Sequence, residues 1–337
     1  MHNLRNLHGT LVLFLFLSIS LVFPALAKEL KIAHFMSPKH PMDSKVMRPL
    51  AEELEKVSSG SLTARIYPAG ELGKGPVKQY KRAVDGVADI TFGLQGYTSA
   101  QFPRTLLIAL PGLTNGPVQA TEMLWGAYDQ HIKLEYGRVK MLGIWANDLA
   151  VLITSKKAVR TIADIKGMKI RAPDAVGAKA INSWGGVPVN MPVSKVYNAF
   201  NTGIVDGVLI GASGIASFKL HEIGKHFTIG IPSVVTPFYL LMNQKSWNRL
   251  NDTQKSALEE VSGYKMSIKA AKVYRAAGER GLSIAKKAGR EIIKLSASEA
   301  SVFRKANQQV FDEIIGDLEQ KGIDARTIIK ALEQVKG

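Results

Sequence analysis

The stretch Tyr80-Lys81-Arg82-Ala83-Val84-Asp85-Gly86-Val87-Ala88-Asp89 returns in kind 117 residues later as Tyr197-Asn198-Ala199-Phe200-Asn201-Thr202-Gly203-Ile204-Val205-Asp206. Each copy reads as a helix closed by glycine in the C′ position, where positive φ is cheap, feeding straight into a buried strand. One such unit says little, because helix, glycine and strand follow one another in many α/β proteins. With a strand also expected ahead of each helix, the pair suggests two lobes of similar architecture. Working outward, Lys28–Ala33 alternates polar and apolar residues and reads as the first strand. Met42–Val57 has helical spacing (Val46, Leu50, Leu54, Val57) and stops before Ser58-Ser59-Gly60. Leu62–Tyr67 is a second strand, Pro76–Val84 a helix and Ala88–Phe92 a short apolar strand. This alternation predicts an α/β fold with mostly parallel sheets flanked by helices.

Beyond Asn251 the pattern changes. Ala257, Val261, Tyr264, Ile268 and Ala271 recur at helical spacing, and Leu282 and Ala285 continue it. That predicts one helix from Asp252 to Lys287, ~50 Å long at 1.5 Å per residue and thus long enough to cross both lobes. Gly263, Gly278 and Gly281 interrupt it, as bends or as solvated surface positions. Helices over Ala297–Lys321 and Ala325–Val335 close the chain.

At 337 residues the length fits two domains. With 46% hydrophobic and 21% charged residues, the composition excludes a disordered chain. The absence of cysteine excludes disulfides, thiol nucleophiles, Cys-zinc sites, iron–sulfur clusters and a lipidated N-terminal cysteine. At the N-terminus, Arg5 precedes the apolar run Leu11–Phe23, and Ala25-Leu26-Ala27 supplies small residues before charged Lys28 and Glu29. Residues 1–27 therefore read as a signal peptide cleaved after Ala27, and the mature chain as an exported periplasmic protein. An uncleaved anchor is the alternative, but the run is short of the ~20 residues that span a bilayer.

The formal charge of +16 comes from Lys and Arg spread along helices with acids interleaved. No long like-charge run or aromatic ladder marks a nucleic-acid surface, so none is expected as a partner. Catalytic motifs are missing too. Gly70–Gly75 ends in Gly-Pro and not Gly-Lys-Ser/Thr, and Ile215 stands where Gly211-Ala212-Ser213-Gly214 would need glycine to complete a nucleophile elbow. His34/His40 and His221/His226 are spaced by six and five, so neither pair shares a helix face. They read as surface or supporting histidines, with a metal site as the lesser alternative; no metal or cofactor is expected. One arginine stands apart. In Met168-Lys169-Ile170-Arg171-Ala172-Pro173, Met168, Ile170 and Ala172 fall on one side of a short strand and Lys169, Arg171 and Pro173 on the other. Arg171 thus sits at a strand end, where α/β folds place ligands, and its planar fork suits a carboxylate. An interlobe or surface salt bridge is the competing reading.

The chain resembles the DctP-like family, the periplasmic solute-binding subunits of TRAP transporters. The residues that carry the resemblance are Tyr67-Pro68-Ala69-Gly70 with Leu72-Gly73, Ile162–Pro173, Pro192-Val193-Ser194-Lys195-Val196-Tyr197, Gly203-Ile204-Val205-Asp206-Gly207, and Leu241-Met242-Asn243 with Trp247. It implies a non-enzymatic two-lobed periplasmic binding protein, with residues 28–148 and 237–276 in lobe I and 149–236 and 277–337 in lobe II, closing on an organic acid for delivery to TRAP membrane subunits. It also implies that Arg171 clamps the carboxylate. Many sialic-acid and dicarboxylate members have a second arginine where this chain has Val151, and often an Asn where it has Ile210. Losing both polar groups shifts the expected ligand toward a hydrophobic or aromatic monocarboxylate. The remaining expected lining is Phe35, Gln95, Tyr97, Trp145, Asn147, Pro173, Asn190, Ile210, Gly211, Ser213 and Phe238, with Tyr239 as a further aromatic wall. A C4-dicarboxylate receptor using Asn147, Asn190 or Ser213 remains the rival, and a periplasmic enzyme acting on small acids the more distant one.

Overall fold

A computed structural model describes residues 27–335, so the expected signal peptide up to Leu26 lies outside the described residues. With strands numbered along the chain, the first sheet has the order β2-β1-β3-β10-β4. Its strands are β1 (Lys28–Ala33), β2 (Leu62–Tyr67), β3 (Ile90–Leu94), β4 (Val139–Ala146) and β10 (Pro237–Asn243). The second has the order β11-β9-β5-β8-β6-β7, built from β5 (Ala150–Thr154), β6 (Lys169–Ala172), β7 (Val187–Asn190), β8 (Gly207–Gly211), β9 (His226–Ile229) and β11 (Glu291–Lys294). Both sheets are mostly parallel, as expected, and each is mixed through one reversed strand. β10 runs antiparallel to β3 and β4, and β5 antiparallel to β8 and β9. The reason is topological. β4 leaves its lobe at the cleft and enters the other as β5, and β9 returns the same way into β10. A strand that enters a sheet from the cleft must run against those that end there.

The two crossing segments lie side by side. Asn147 N–H donates to Thr236 O at 3.0 Å, and Ala150 N–H to Val234 O at 3.0 Å. Asn147 Oδ1 accepts from Thr236 N–H at 2.7 Å.

The sequence echo is a structural repeat. The first lobe carries α1 (Arg48–Val57), α2 (Gln79–Asp85) and α3 (Pro117–Ala127); the second carries α4 (Ala175–Ser183), α5 (Val196–Asn201), α6 (Gly214–Ser217) and α7 (Leu220–Ile223). Gly86 after α2 and Gly203 after α5 take φ of 73° and 74°. Three residues on, Asp89 Oδ2 accepts from Lys31 N–H and Asp206 Oδ2 from Lys169 N–H, both at 2.9 Å. Each aspartate thus satisfies a backbone donor one residue before the parallel ladders Ile32↔Ile90 and Ile170↔Gly207 begin. The expected helix at Met42–Val57 opens with a π-turn at Asp43–Met47, in which Asp43 is buried against His34 and Arg48.

After α8 (Gln244–Asn248), the expected continuous helix is two: α9 (Asp252–Val261) and α10 (Gly263–Lys287). Ser262 is extended (ψ −153°) and Gly263 has φ 71°. Unlike Gly263, Gly278 and Gly281 are neither bends nor solvated positions; both are buried in α10. A Cβ on Gly278 would stand 2.7 Å from Asp148 Oδ2, and one on Gly281 would stand 2.5 Å from Ala212 O. They let the helix lie directly against the crossing segment and the turn into α6. Met266, Ala270 and Tyr274 pack in the first lobe's core and Ala285 in the second's.

The last two helices, α11 (Ala297–Glu319) and α12 (Ala325–Glu333), depart from the expected assignment of 277–337 to lobe II. Phe303 of α11 packs with Trp184 and Ile181 in the second lobe. Ile315 and Leu318, with Ile328, Ile329 and Leu332 of α12, join Met123 and Leu124 of α3 in the first. Both amphipathic stripes are legible in the sequence, but not the lobe that receives them.

Gly281→Ala should lower stability by about 1–3 kcal/mol, because the new methyl meets backbone that cannot swing aside. Gly316→Ala, in α11 with nothing within 4 Å of the added Cβ, should raise it by about 0.5–1 kcal/mol. Urea unfolding of both variants checks this, and equal effects would contradict the packing role of Gly281.

Candidate functional site

Between the lobes, the ends of β3, β6 and β8 and the starts of β5 and β10 enclose a cavity of about 50 Å³. Arg171 reaches it from β6, whose other face buries Ile170 and Ala172. The Arg171 side chain is 2% exposed. Its Nε donates to Met191 O and its Nη1 to Leu209 O, both at 3.1 Å, so two of its five N–H donors are used by backbone. No ion pair engages it among the described residues. Asp174, whose charge it feels, is committed as the N-cap of α4, with Oδ1 accepting from Gly177 N–H at 2.8 Å. Burial pulls the Arg171 pKa below the ordinary guanidinium value, against Tyr97 and Asp174, which hold it up.

The walls are aromatic and aliphatic. Phe35 stacks on Phe92 at 5.8 Å, Phe92 on Phe238 at 5.4 Å, and Phe238 packs on Tyr274 at 5.2 Å. Met36, Leu94, Val193, Ile210 and Phe218 complete the apolar lining. Tyr97 Oη accepts from Val193 N–H at 2.8 Å, a bond from the first lobe to the second. Gly96 beside it lies against Asp174, where a Cβ would come within 2.7 Å. These contacts close the lobes over the cavity. The two positions where polar groups were expected to be lost, Val151 and Ile210, are directly paired on β5 and β8.

Of the twelve residues singled out from sequence, nine surround this cavity: Phe35, Tyr97, Asn147, Arg171, Pro173, Ile210, Gly211, Ser213 and Phe238. Three do not. Trp145 is fully buried beneath Phe92, stacked at 5.6 Å, in the core between the sheet and α10. Gln95 is fully buried with its Nε2 on Tyr136 Oη at 3.0 Å, on the far side of the sheet. Asn190 is exposed on the edge strand β7. Tyr239 also turns away from the cavity, because side chains alternate along β10 and Phe238 takes the cleft face.

The sequence reading missed His40 and Tyr274. His40, expected as a surface or supporting histidine, is 5% exposed and lines the cavity. Its Nδ1 accepts from Met42 N–H at 3.1 Å, and a histidine two residues ahead of a helix was the available signal. Tyr274 carried only a core-like helical spacing, and its role depends on α10 crossing the cleft. Asp148, beside Asn147, is buried against α10. Its Oδ2 accepts from Ser213 N–H at 2.7 Å, and burial pushes its carboxyl up to about 6. No group of three or more His, Asp or Glu suited to a metal occurs among the described residues.

The model of the DctP family, described as bacterial extracellular solute-binding protein family 7, matches residues 32–317. The C4-dicarboxylate-binding periplasmic protein DctP of Rhodobacter capsulatus is 26% identical across 97% of this chain and 98% of its own length. The uncharacterized protein y4mM of Sinorhizobium fredii is 28% identical over 75% of this chain, which spans 48% of that protein. A crystal structure of a marine-metagenome TRAP solute-binding protein specific for aromatic acid ligands, in complex with metahydroxyphenylacetate, superposes with TM-score 0.88 at 26% identity, covering 91% of this chain and 98% of that one. A TRAP solute-binding protein of Rhodoferax ferrireducens with copurified benzoate gives the same score and identity over 91% and 97%.

Burial, with a smaller contribution from His34, pulls the His40 pKa down to about 3. The unfolded chain takes up this proton near pH 6.5 and the folded protein only near 3, so stability is lost as pH falls through that window. His40→Gln should therefore lose less stability than the parent between pH 7.5 and 4.5, measured by urea midpoints. Parallel losses in the two proteins would contradict the buried neutral state.

Proposed function

Because the chain belongs to the DctP family, bacterial extracellular solute-binding protein family 7, we propose that it is the periplasmic receptor of a TRAP transporter for a hydrophobic or aromatic monocarboxylate, held by Arg171. As a member of that family it is a solute-binding receptor and not an enzyme. One observation carries the ligand reading: a guanidinium buried without a carboxylate partner, in a cavity otherwise lined mostly by aromatic and aliphatic side chains. A buried cation is costly until an anion reaches it. The three N–H donors of Arg171 not spent on Met191 and Leu209 can grip a carboxylate through two parallel bonds. Such a charge-assisted contact contributes roughly 1.5–3 kcal/mol net.

The ring of the acid then packs among Phe35, Phe238 and Ile210. Ligands of the similar solved proteins, metahydroxyphenylacetate and benzoate, support this chemistry. Since Arg171 belongs to one lobe and Phe35, Tyr97 and Phe238 to the other, a ligand touching both favours the closed arrangement by population shift. Delivery to TRAP membrane subunits follows from the family.

A C4-dicarboxylate is the second reading, favoured by the near full-length similarity to DctP of Rhodobacter capsulatus. Against it, Asn190 is outside the cavity, and Val151 and Ile210 offer no donor.

Arg171→Ala should weaken binding of the preferred acid by at least ~30-fold, on the order of 2 kcal/mol. Arg171→Lys should recover only part of this, because the ammonium keeps the charge and loses the fork. Thermal shifts with benzoate, phenylacetate and mandelate beside succinate and malate identify the acid, and calorimetry measures the variants. Stabilisation by succinate alone would overturn the monocarboxylate reading, and unchanged affinity in folded Arg171→Ala would overturn the clamp.

A further inference from the structure

On a wall of the cavity other than that of Arg171, the Tyr274 hydroxyl is buried without a hydrogen-bond partner, in a residue 3% exposed. It comes from α10, packed on Phe238, and its ring meets His40 edge-on at 6.3 Å and 71°. His40 spends Nδ1 on Met42 N–H, so the neutral ring carries its proton on Nε2. Both side chains line the same cavity, next to Ser213. An orphaned buried hydroxyl beside a free imidazole N–H costs free energy unless a polar group of the ligand meets them.

We propose that Tyr274 Oη and His40 Nε2 form a polar subsite that takes a hydroxyl substituent on the apolar body of the ligand, so that the preferred ligand is a hydroxylated aromatic acid. This rests on the aromatic-acid reading above. A hydroxyl fits because it can accept from His40 Nε2–H and also bond Tyr274 Oη. A second carboxylate would face the Asp148 carboxyl, whose charge reaches Tyr274. An ammonium would face the Nε2–H donor. A methyl or bare ring would leave the tyrosine hydroxyl unsatisfied. The subsite requires α10 at this place in the cleft, since its tyrosine stands one turn before Gly278, where the helix touches Asp148.

The test is calorimetry of the mature protein with benzoate, 3-hydroxybenzoate and 4-hydroxybenzoate. At least one hydroxybenzoate should bind about tenfold or more tightly than benzoate, the discrimination expected when a site is built to bond a hydroxyl. Tyr274→Phe removes one oxygen and no carbon. It should bring the ratio to within about twofold of unity. His40→Asn, whose Oδ1 can still accept from Met42 N–H, should lower the same ratio. Benzoate binding as tightly as both hydroxybenzoates in the parent overturns the subsite alone. So does a preference that survives in both variants. If a folded protein binds none of the three acids, the aromatic-acid reading fails and this inference falls with it.

Discussion

A guanidinium held in the interior without a carboxylate beside it is the constraint on which the rest of this protein turns. Two backbone carbonyls, Met191 O and Leu209 O, position Arg171 without neutralising it. Asp174, the nearby acid, is kept at its task of capping α4. The cavity therefore carries an unmatched positive charge in apolar surroundings, which makes it selective for an anion before any shape is considered. The net charge of +16 matters less for recognition, because it is spread over solvated surfaces.

The scaffold serves that site by letting two lobes meet without losing their alignment. Paired crossing segments, bonded through Asn147 and Thr236, define where the chain passes between sheets. Helix α10 reinforces the crossing because two of its residues have no side chain, so Asp148 and Ala212 can touch its backbone. Asn307 of α11 adds a tie, donating to Pro232 O at 2.8 Å and accepting from Trp184 Nε1 at 2.8 Å. The chain thus crosses between the sheets at the segments around 147–149 and 230–236, while Tyr97 and Gly96 meet Val193 and Asp174 across the cleft.

Local signals were legible where the physics is local. Gly86 and Gly203 were readable because a left-handed C′ position selects glycine, and Arg171 because strand alternation put it opposite Ile170 and Ala172. The misplacement of Trp145 has a different origin. Trp145 and Phe238 are cross-strand neighbours on β4 and β10, yet only Phe238 reaches the cavity. Period-two alternation assigns a face, and it cannot say how far along that face the helix layer gives way to the cleft. Gln95, just after β3, faces the opposite side of the sheet from Leu94, which lines the cavity, and His40 turned in because its ring caps the turn to Met42.

The sequence by itself determined the two-lobed α/β plan, the family and the one arginine worth singling out, since each is written in short-range patterns and ordered motifs. Tertiary structure alone decided that each sheet carries one reversed strand, that the long helix breaks at Ser262 and Gly263, that α12 returns to the first lobe, and that Tyr274 faces the ligand cavity. Those outcomes depend on which surfaces meet after the chain has crossed between lobes. Such meetings are set by complementary packing between residues more than a hundred positions apart, and no local periodicity records them.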